Sequence, residues 1–467
     1  MERCGCRETF RTESLCPYCL ARIPAVREAK GDDVYLVKRC PEHGEFRTII
    51  WRGAPRFQGW TRKPNVLRSC ESRTKVEKGC PFDCGICPTH RRNACTAVLE
   101  ITSRCNLRCP VCFADAGSET ASDAPLPEIA EWYARVLRTY GPDIIIQLSG
   151  GEPTVRDDLP AIIGMGRSTG FPFIQVNTNG LRLAMEKDYA SVLRRAGAAS
   201  VFLQFDGTED EIYRKLRGRA FYSEKLRAIE RCVENGIGVV LVPAIVPGVN
   251  FHNIGAMIKL ALELSPGVRG VHFQPVGYFG RCPDVPDNSH RLTLPDMMRA
   301  IEEQTDGLMR AADFTPPGWE NTLCSFHGAF IPKPGGGLQA LTEHGGCCSS
   351  AEGSDAHAVS FTARQWSAPA RVQGRANMGG AASGAPTGCC DGAAETFDGF
   401  LERVRTNMLS ISCMAFQDAW NLDLERTRDC CIHVAAPDGR MIPFCLYNMT
   451  SANGKRLYRE IPPAPLS

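Results

Sequence analysis

The chain has 467 residues, enough for one large domain or two to three ordinary ones, and 43% are apolar, enough to bury a sizeable core. Lys and Arg (54) nearly balance Asp and Glu (52), so the net charge of +2 argues against a nucleic-acid or membrane-surface partner. No apolar run is long enough to span a membrane, and the start, MERCGCRETF, lacks the apolar stretch of a secretory leader, so a cytoplasmic protein without a transmembrane segment is expected.

The 24 cysteines stand out. Disulfide-dense secreted proteins are usually short chains with small cores. Here the cysteines sit in tight Cys-x2-Cys and Cys-x3-Cys groups beside a long α/β pattern, which suits metal ligation in a reducing, low-oxygen compartment.

Residues 1–78 read as a small metal module with short strand-like runs (DDVYLVKRC, GEFRTIIWRG). Cys16-Pro-Tyr-Cys19 and Cys40-Pro-Glu-His43 make a four-ligand tetrahedral set for one mononuclear iron or zinc, with Cys4 and Cys6 as competitors for the place of His43. Residues 79–96 carry a first cluster loop, Cys80-x3-Cys84-x2-Cys87, and Cys95 follows. Four thiolates close a [4Fe–4S] cluster, so an auxiliary cluster is expected here. His90 is an alternative to Cys95 or a hydrogen-bond donor behind it, and zinc is the alternative metal.

From 97 to 280 strands and helices alternate. Strands are expected at 97–102, 144–149, 173–178, 200–206, 238–246 and 270–276, with helices near 126–139, 157–168, 186–196, up to 235, and 251–263. Six βα units predict an α/β fold with a parallel sheet curled into a partial (β/α)6 TIM-like barrel, its chemistry at the C-terminal strand ends. Cys105-x3-Cys109-x2-Cys112 follows the first strand. Three thiolates on one loop hold three irons of a [4Fe–4S] cube. The next cysteine is Cys232, far along the chain, so the fourth iron is left open to chelate a small molecule. A structural zinc or a plain electron-transfer cluster is the competing reading.

Residues 281–348 read as a C-terminal extension with a helix near 294–312, residues 349–394 as a Gly/Ala/Ser-rich linker, and residues 395–467 as a Cys-rich cap. A second auxiliary cluster would draw on Cys324, Cys431, Cys445 and Cys348 (or its neighbour Cys347). Buried free thiols, or a Cys347/Cys348 redox pair, are the alternatives.

The cysteine loop on the first of six βα strands resembles the radical SAM superfamily, over about residues 97–276. Gly150-Gly151-Glu152-Pro153 follows the second strand, like the family's GGE motif, whose backbone and carboxylate meet the methionine ammonium of S-adenosylmethionine (SAM). The resemblance further implies cofactor contacts from Asn177 and Asn179 after the third strand, Gln204 and Asp206 at the fourth, and the VPAIVPG run of the fifth. One departure is Val111 where the family usually has an aromatic residue; Phe113 is expected to meet adenine instead. The order CPYC…CPEHG, GCPFDCGICPTH, CNLRCPVCF and CCIH…PDGRMIPFC is similar to a multi-cluster subgroup that includes archaeal tetraether lipid synthase and dihydro-hydroxymethylpterin dimethyltransferases. The CSFH and GGCC segments resemble a bacterial radical SAM (seleno)protein branch.

These resemblances imply SAM, two or three [4Fe–4S] clusters, one mononuclear metal, and a ferredoxin- or flavodoxin-type electron donor. They imply reductive SAM cleavage to a 5′-deoxyadenosyl radical, which takes hydrogen from an unactivated carbon of a small molecule or lipid. The outcome would be a C–C bond or methyl transfer. A non-catalytic iron–sulfur electron carrier is the competing class.

Overall fold

The computed structural model describes residues 9–60, 74–117, 123–282, 286–318, 320–333, 336–341, 354–369 and 397–459. Its first unit is an antiparallel sheet of β1 (Thr9–Leu15), β2 (Arg22–Lys30), β3 (Asp33–Cys40) and β4 (Gly44–Trp51), paired in chain order. This ribbon docks on the C-terminal tail. Asp423 accepts from Thr12 (2.7 Å) and Arg27 (2.6 Å), and the buried Lys38 ammonium donates to the carbonyl of Ala419 (2.6 Å).

The barrel strands are β5 (Thr96–Thr102), β6 (Ile145–Gly150), β7 (Ile174–Thr178), β8 (Ser200–Gln204), β9 (Gly238–Val242), the short β10 (Ala244–Ile245) and β11 (Val268–Pro275). Each of the six expected strands is present, within a few residues of its expected bounds. Neighbours pair in parallel, and β10 pairs only with β11. The period of two sorts their side chains. Ile146 and Leu148 of β6 enter the main core. The residues between them face the other way, where Gln147 donates to Gln175 (2.9 Å) and Gln175 to Ser200 (3.2 Å). At this level the inside of the barrel is polar. Outside, helices cover the sheet. Leu126–Tyr140 buries Ile129, Trp132, Tyr133 and Val136 on one stripe at i, i+3, i+4, i+7, and ends at Gly141 with φ +80°.

The C-terminal third corrects two expectations. It is not a separate extension and cap but part of the barrel sheet. After β12 (Ser325–Pro332) and β13 (Leu338–Ala340), strand β14 (Leu409–Met414) pairs in parallel with β11, and β12 joins it antiparallel. Strand β15 (Ile432–Ala435) pairs in parallel with β5, and β16 (Met441–Pro443) closes that edge. The tail thus supplies a strand to each edge of the six-strand core. The second correction concerns the segment read as a linker. Within it, Ser354–Trp366 is a helix. Val359 is buried against Ile145 and Phe173, and Trp366 packs on Phe202 at 5.0 Å. Gly238 is needed there, because a Cβ would lie 2.0 Å from the Trp366 carbonyl. The helix lies across the N-terminal strand ends, opposite the site described next.

Candidate functional site

The Cys105–Cys112 loop leaves the C-terminal end of β5 and is seated on the end of β6. The two glycines there are steric requirements. A Cβ on Gly150 would lie 2.1 Å from the Thr102 carbonyl, and one on Gly151 2.0 Å from that of Arg104. Gly151 N–H donates to Thr102 and Glu152 N–H to Arg104, both at the mouth of the loop. The far side of the loop is clamped by residues that sequence reasoning missed. Arg281 donates to the carbonyls of Cys109 (2.8 Å) and Ala116 (2.9 Å) and to Asp115 (3.0 Å), while its backbone pairs with Cys112. Arg459 of the tail makes a bidentate pair with Glu100, one strand position inside the barrel (2.7 and 2.9 Å). Nothing local in the sequence marks either arginine, since each reaches across more than 160 residues.

The residues expected to meet the cosubstrate converge on this loop, with differing freedom. Glu152 is buried; its Oε1 accepts from Thr154 N–H and Oγ and from Thr178 Oγ, and its Oε2 accepts from Asn179 N–H (2.6 Å). A carboxylate has about four lone-pair sites, so Oε2 retains room for one more donor. Asn177 donates to Ser149 (3.2 Å), and its buried Oδ1 has no partner among the described residues. Asn179 is braced: it donates to Asn106 of the cysteine loop (2.7 Å) and accepts from Leu181 N–H (3.0 Å). Asp206 is buried, and both oxygens are taken by Arg217 (2.7 and 2.8 Å). Gln204 joins Asp206 and accepts from the Lys225 ammonium (2.9 Å). Phe113 packs on Phe444 with tilted rings, centroids 5.5 Å apart, within the tail's apolar cluster. Burial pushes the Cys105 thiol up to about 12, with the Glu152, Cys109 and Cys112 charges adding to it, and pushes the Lys225 ammonium down to about 7. Arg217 and Lys225 lie in the helical stretch after the fourth strand (YRKLRGR…SEKLR), where sequence reasoning singled out neither.

In the N-terminal ribbon, Cys16, Cys19, Cys40 and His43 bring their ligand atoms within 4.8 Å of one another. His43 Nδ1 lies 3.6 Å from the Cys16 sulfur and 3.5 Å from that of Cys40, and Tyr18 stacks on the imidazole. Three thiols and an imidazole on two turns are a tetrahedral donor set.

The radical SAM superfamily model matches residues 99–261, and the HMPTM N-terminal zinc ribbon domain matches residues 9–52. The 7,8-dihydro-6-hydroxymethylpterin dimethyltransferase of Methanocaldococcus jannaschii is 34% identical over 94% of this chain and 93% of its own. The chain belongs to the radical SAM superfamily. A probable GTP 3′,8-cyclase of Methanothermobacter marburgensis is 31% identical over 47% of this chain and 70% of its own. The crystal structure of Streptococcus suis SuiB bound to S-adenosylmethionine is 16% identical at a TM-score of 0.38, covering 46% of this chain and 47% of that one.

As a radical SAM enzyme, the protein uses a [4Fe–4S] cluster and SAM, with a further metal site in the ribbon. The residues present fit these groups. Three thiols share one loop beside a buried carboxylate, and the unpartnered Asn177 Oδ1 is held at the third strand end. No helix among the described residues is long and apolar enough to cross a membrane.

The remaining cysteines of this radical SAM enzyme are grouped differently from the sequence expectation. Cys80, Cys84 and Cys87 are buried together, and the Asp83 carboxylate gathers the amides of Glu77, Lys78 and Gly79 (2.6–2.7 Å) to shape their loop. The Cys95 sulfur lies 3.0 Å from that of Cys431. His90 Nε2 meets the Cys430 carbonyl (2.9 Å) and His433 (3.1 Å). Arg426 donates to Cys324 (3.5 Å), and burial raises the Cys430 thiol, which the nearby Cys445 and Cys324 thiolates raise further. Neighbours entering a strand point to opposite faces, so Cys430 and Cys431 part company at the start of β15. Cys347, Cys348, Cys4 and Cys6 lie outside the described residues.

Proposed function

We propose that this radical SAM enzyme transfers methyl groups to a small pterin-like heterocycle, with Cys105, Cys109 and Cys112 holding the SAM cluster. The observation that carries the reading is the likeness to the M. jannaschii pterin dimethyltransferase, which extends over nearly the whole of both chains instead of the barrel alone. When bound, the cluster and SAM supply a 5′-deoxyadenosyl radical able to take hydrogen from an unactivated carbon. The chain's own residues bind, orient and exclude water. Glu152 Oε2 accepts from the SAM ammonium, and Asn177 Oδ1 accepts from a second SAM donor. Asn179 holds the cysteine loop against the third strand through Asn106. The helix Ser354–Trp366 closes the opposite barrel end.

Cys80, Cys84 and Cys87 hold an auxiliary cluster, and Cys324, Cys430 and Cys445 are the ligands available to a second. A ferredoxin- or flavodoxin-type protein donates the electron. Anaerobic reconstitution with dithionite, SAM and a dihydro-hydroxymethylpterin tests the proposal. 5′-Deoxyadenosine above a Cys105→Ala control, together with a pterin heavier by one or two methyl groups, is expected. No 5′-deoxyadenosine above the control sinks the radical chemistry; 5′-deoxyadenosine with an unchanged pterin sinks the substrate class.

A further inference from the structure

We infer that Arg217, locked in place by Asp206, is a positioning residue that donates to the Cys109 side of the SAM cluster and makes that cluster easier to reduce. The inference rests on the reading of Cys105, Cys109 and Cys112 as cluster ligands.

A guanidinium presents five donors in a rigid fork. Two of its nitrogens are committed: Nε donates to Asp206 Oδ2 (2.7 Å) and Nη2 to Oδ1 (2.8 Å). That fixes the plane of the group. The third nitrogen, Nη1, is left on the edge facing the cysteine loop, 3.5 Å from the Val111 carbonyl, and the nearby Cys109 sulfur favours the charge of the guanidinium. Asp206 cannot swing to release it. The carboxylate also accepts from Ala244 N–H (3.2 Å), and its backbone carbonyl takes the Asn250 amide (2.9 Å). The ion pair is almost free of solvent: the Arg217 side chain is 9% exposed and that of Asp206 0%. A fixed donor in so dry a place is only weakly screened.

Hydrogen bonds to cluster sulfurs and nearby charge set the reduction potential of an iron–sulfur centre. One-electron reduction adds one negative charge to the cluster and its thiolates. A cationic donor held at Cys109 stabilises that added charge, so the reduced state becomes more accessible. Asp206 opposes this through its charge but stands on the far side of the guanidinium. Its net effect is to hold the guanidinium so that Nη1 is aimed at the cysteine loop.

The test is an anaerobic redox titration followed by the electron paramagnetic resonance of the reduced cluster, with iron and sulfide counted in each sample. Arg217→Met is expected to keep the cluster and to move its midpoint to a more negative potential. Arg217→Lys, which keeps the charge but loses the fork, is expected in between. If Arg217→Met does not fold because Asp206 is left buried and unpaired, the double variant Arg217→Met/Asp206→Asn removes both charges. It is expected to shift in the same direction, since the donor at Cys109 is gone. A midpoint identical to wild type in a cluster-loaded variant overturns the inference. A wild-type protein whose reduced-cluster signal does not respond to SAM instead overturns the ligand reading beneath it.

Discussion

Cys95 Sγ lies 3.0 Å from Cys431 Sγ, across the parallel register that sets Thr96 beside Ile432 at the joining of β5 to β15. Glu320 stands 3.9 Å from the Cys431 sulfur, and burial raises its carboxyl group. The pair joins the first barrel strand to the returning tail. An excess of a low-molecular-weight disulfide, reduced to two thiols as it takes up the two electrons, should convert the pair to a disulfide. Peptide mapping after alkylation should recover a Cys95–Cys431 cross-link; full alkylation of both thiols after that treatment would contradict the pairing.

Asn177→Ala separates binding from folding. Asn177 Oδ1 has no partner among the described residues, so its loss removes little from the fold beyond the weak bond to Ser149. One hydrogen bond to SAM is worth about 1 kcal/mol, or roughly fivefold in affinity. Calorimetric SAM titration of the reconstituted variant should show that weakening with an unchanged unfolding midpoint. Equal affinity would remove Asn177 from the SAM site.

Gly151→Ala should act on the cluster without touching a ligand. The new Cβ would meet the Arg104 carbonyl at 2.0 Å, and backbone cannot rotate away as a side chain can. Overpacking of this kind costs typically 1–3 kcal/mol, about the scale expected here. The separation falls between β6 and the cysteine loop, so iron per chain after reconstitution should drop. Full iron content would show that the loop tolerates the displacement.

The acid side of the stability profile should carry the signature of His272. Burial lowers this imidazole from 6.5 to about 4, while its Nδ1 bonds the Ser412 hydroxyl (2.8 Å). As pH falls from about 6.5 to about 4 the unfolded chain binds the proton first. The contribution is therefore fully present above pH 6.5 and is lost through that window, at most about 3 kcal/mol. Denaturant unfolding at about pH 6.5 and about pH 4.5 should show a smaller loss for His272→Gln than for wild type. Equal losses would place the acid sensitivity elsewhere.

Much of this was legible along the chain because the signals are local. The six strands announce themselves as short apolar runs between helical stripes. The Cys-x3-Cys-x2-Cys loop and the Gly-Gly-Glu each occupy a few residues, and the Cys16/Cys19/Cys40/His43 set occupies two tight turns, each with its own short Cys-x2-Cys or Cys-x2-His spacing. The helix at Ser354–Trp366 was missed because its segment is poor in hydrophobic period, and what orders it is the open end of the barrel it covers. Gln204 and Asp206 stand at the expected strand end, but their partners, Lys225 and Arg217, come from the helices that follow.

The sequence by itself determined the kind of chemistry and where on the barrel it begins, because ligand spacing and strand period are short-range properties. Only the tertiary structure decided which cysteines keep company. Cys95 stands 15 residues after Cys80 but meets Cys431, since a strand added in parallel from the tail brings residues more than 300 positions apart into register. The same long-range return places Arg281 and Arg459 on the cysteine loop and its strand. Such contacts follow from how the sheet edges are completed, and no local spacing encodes them.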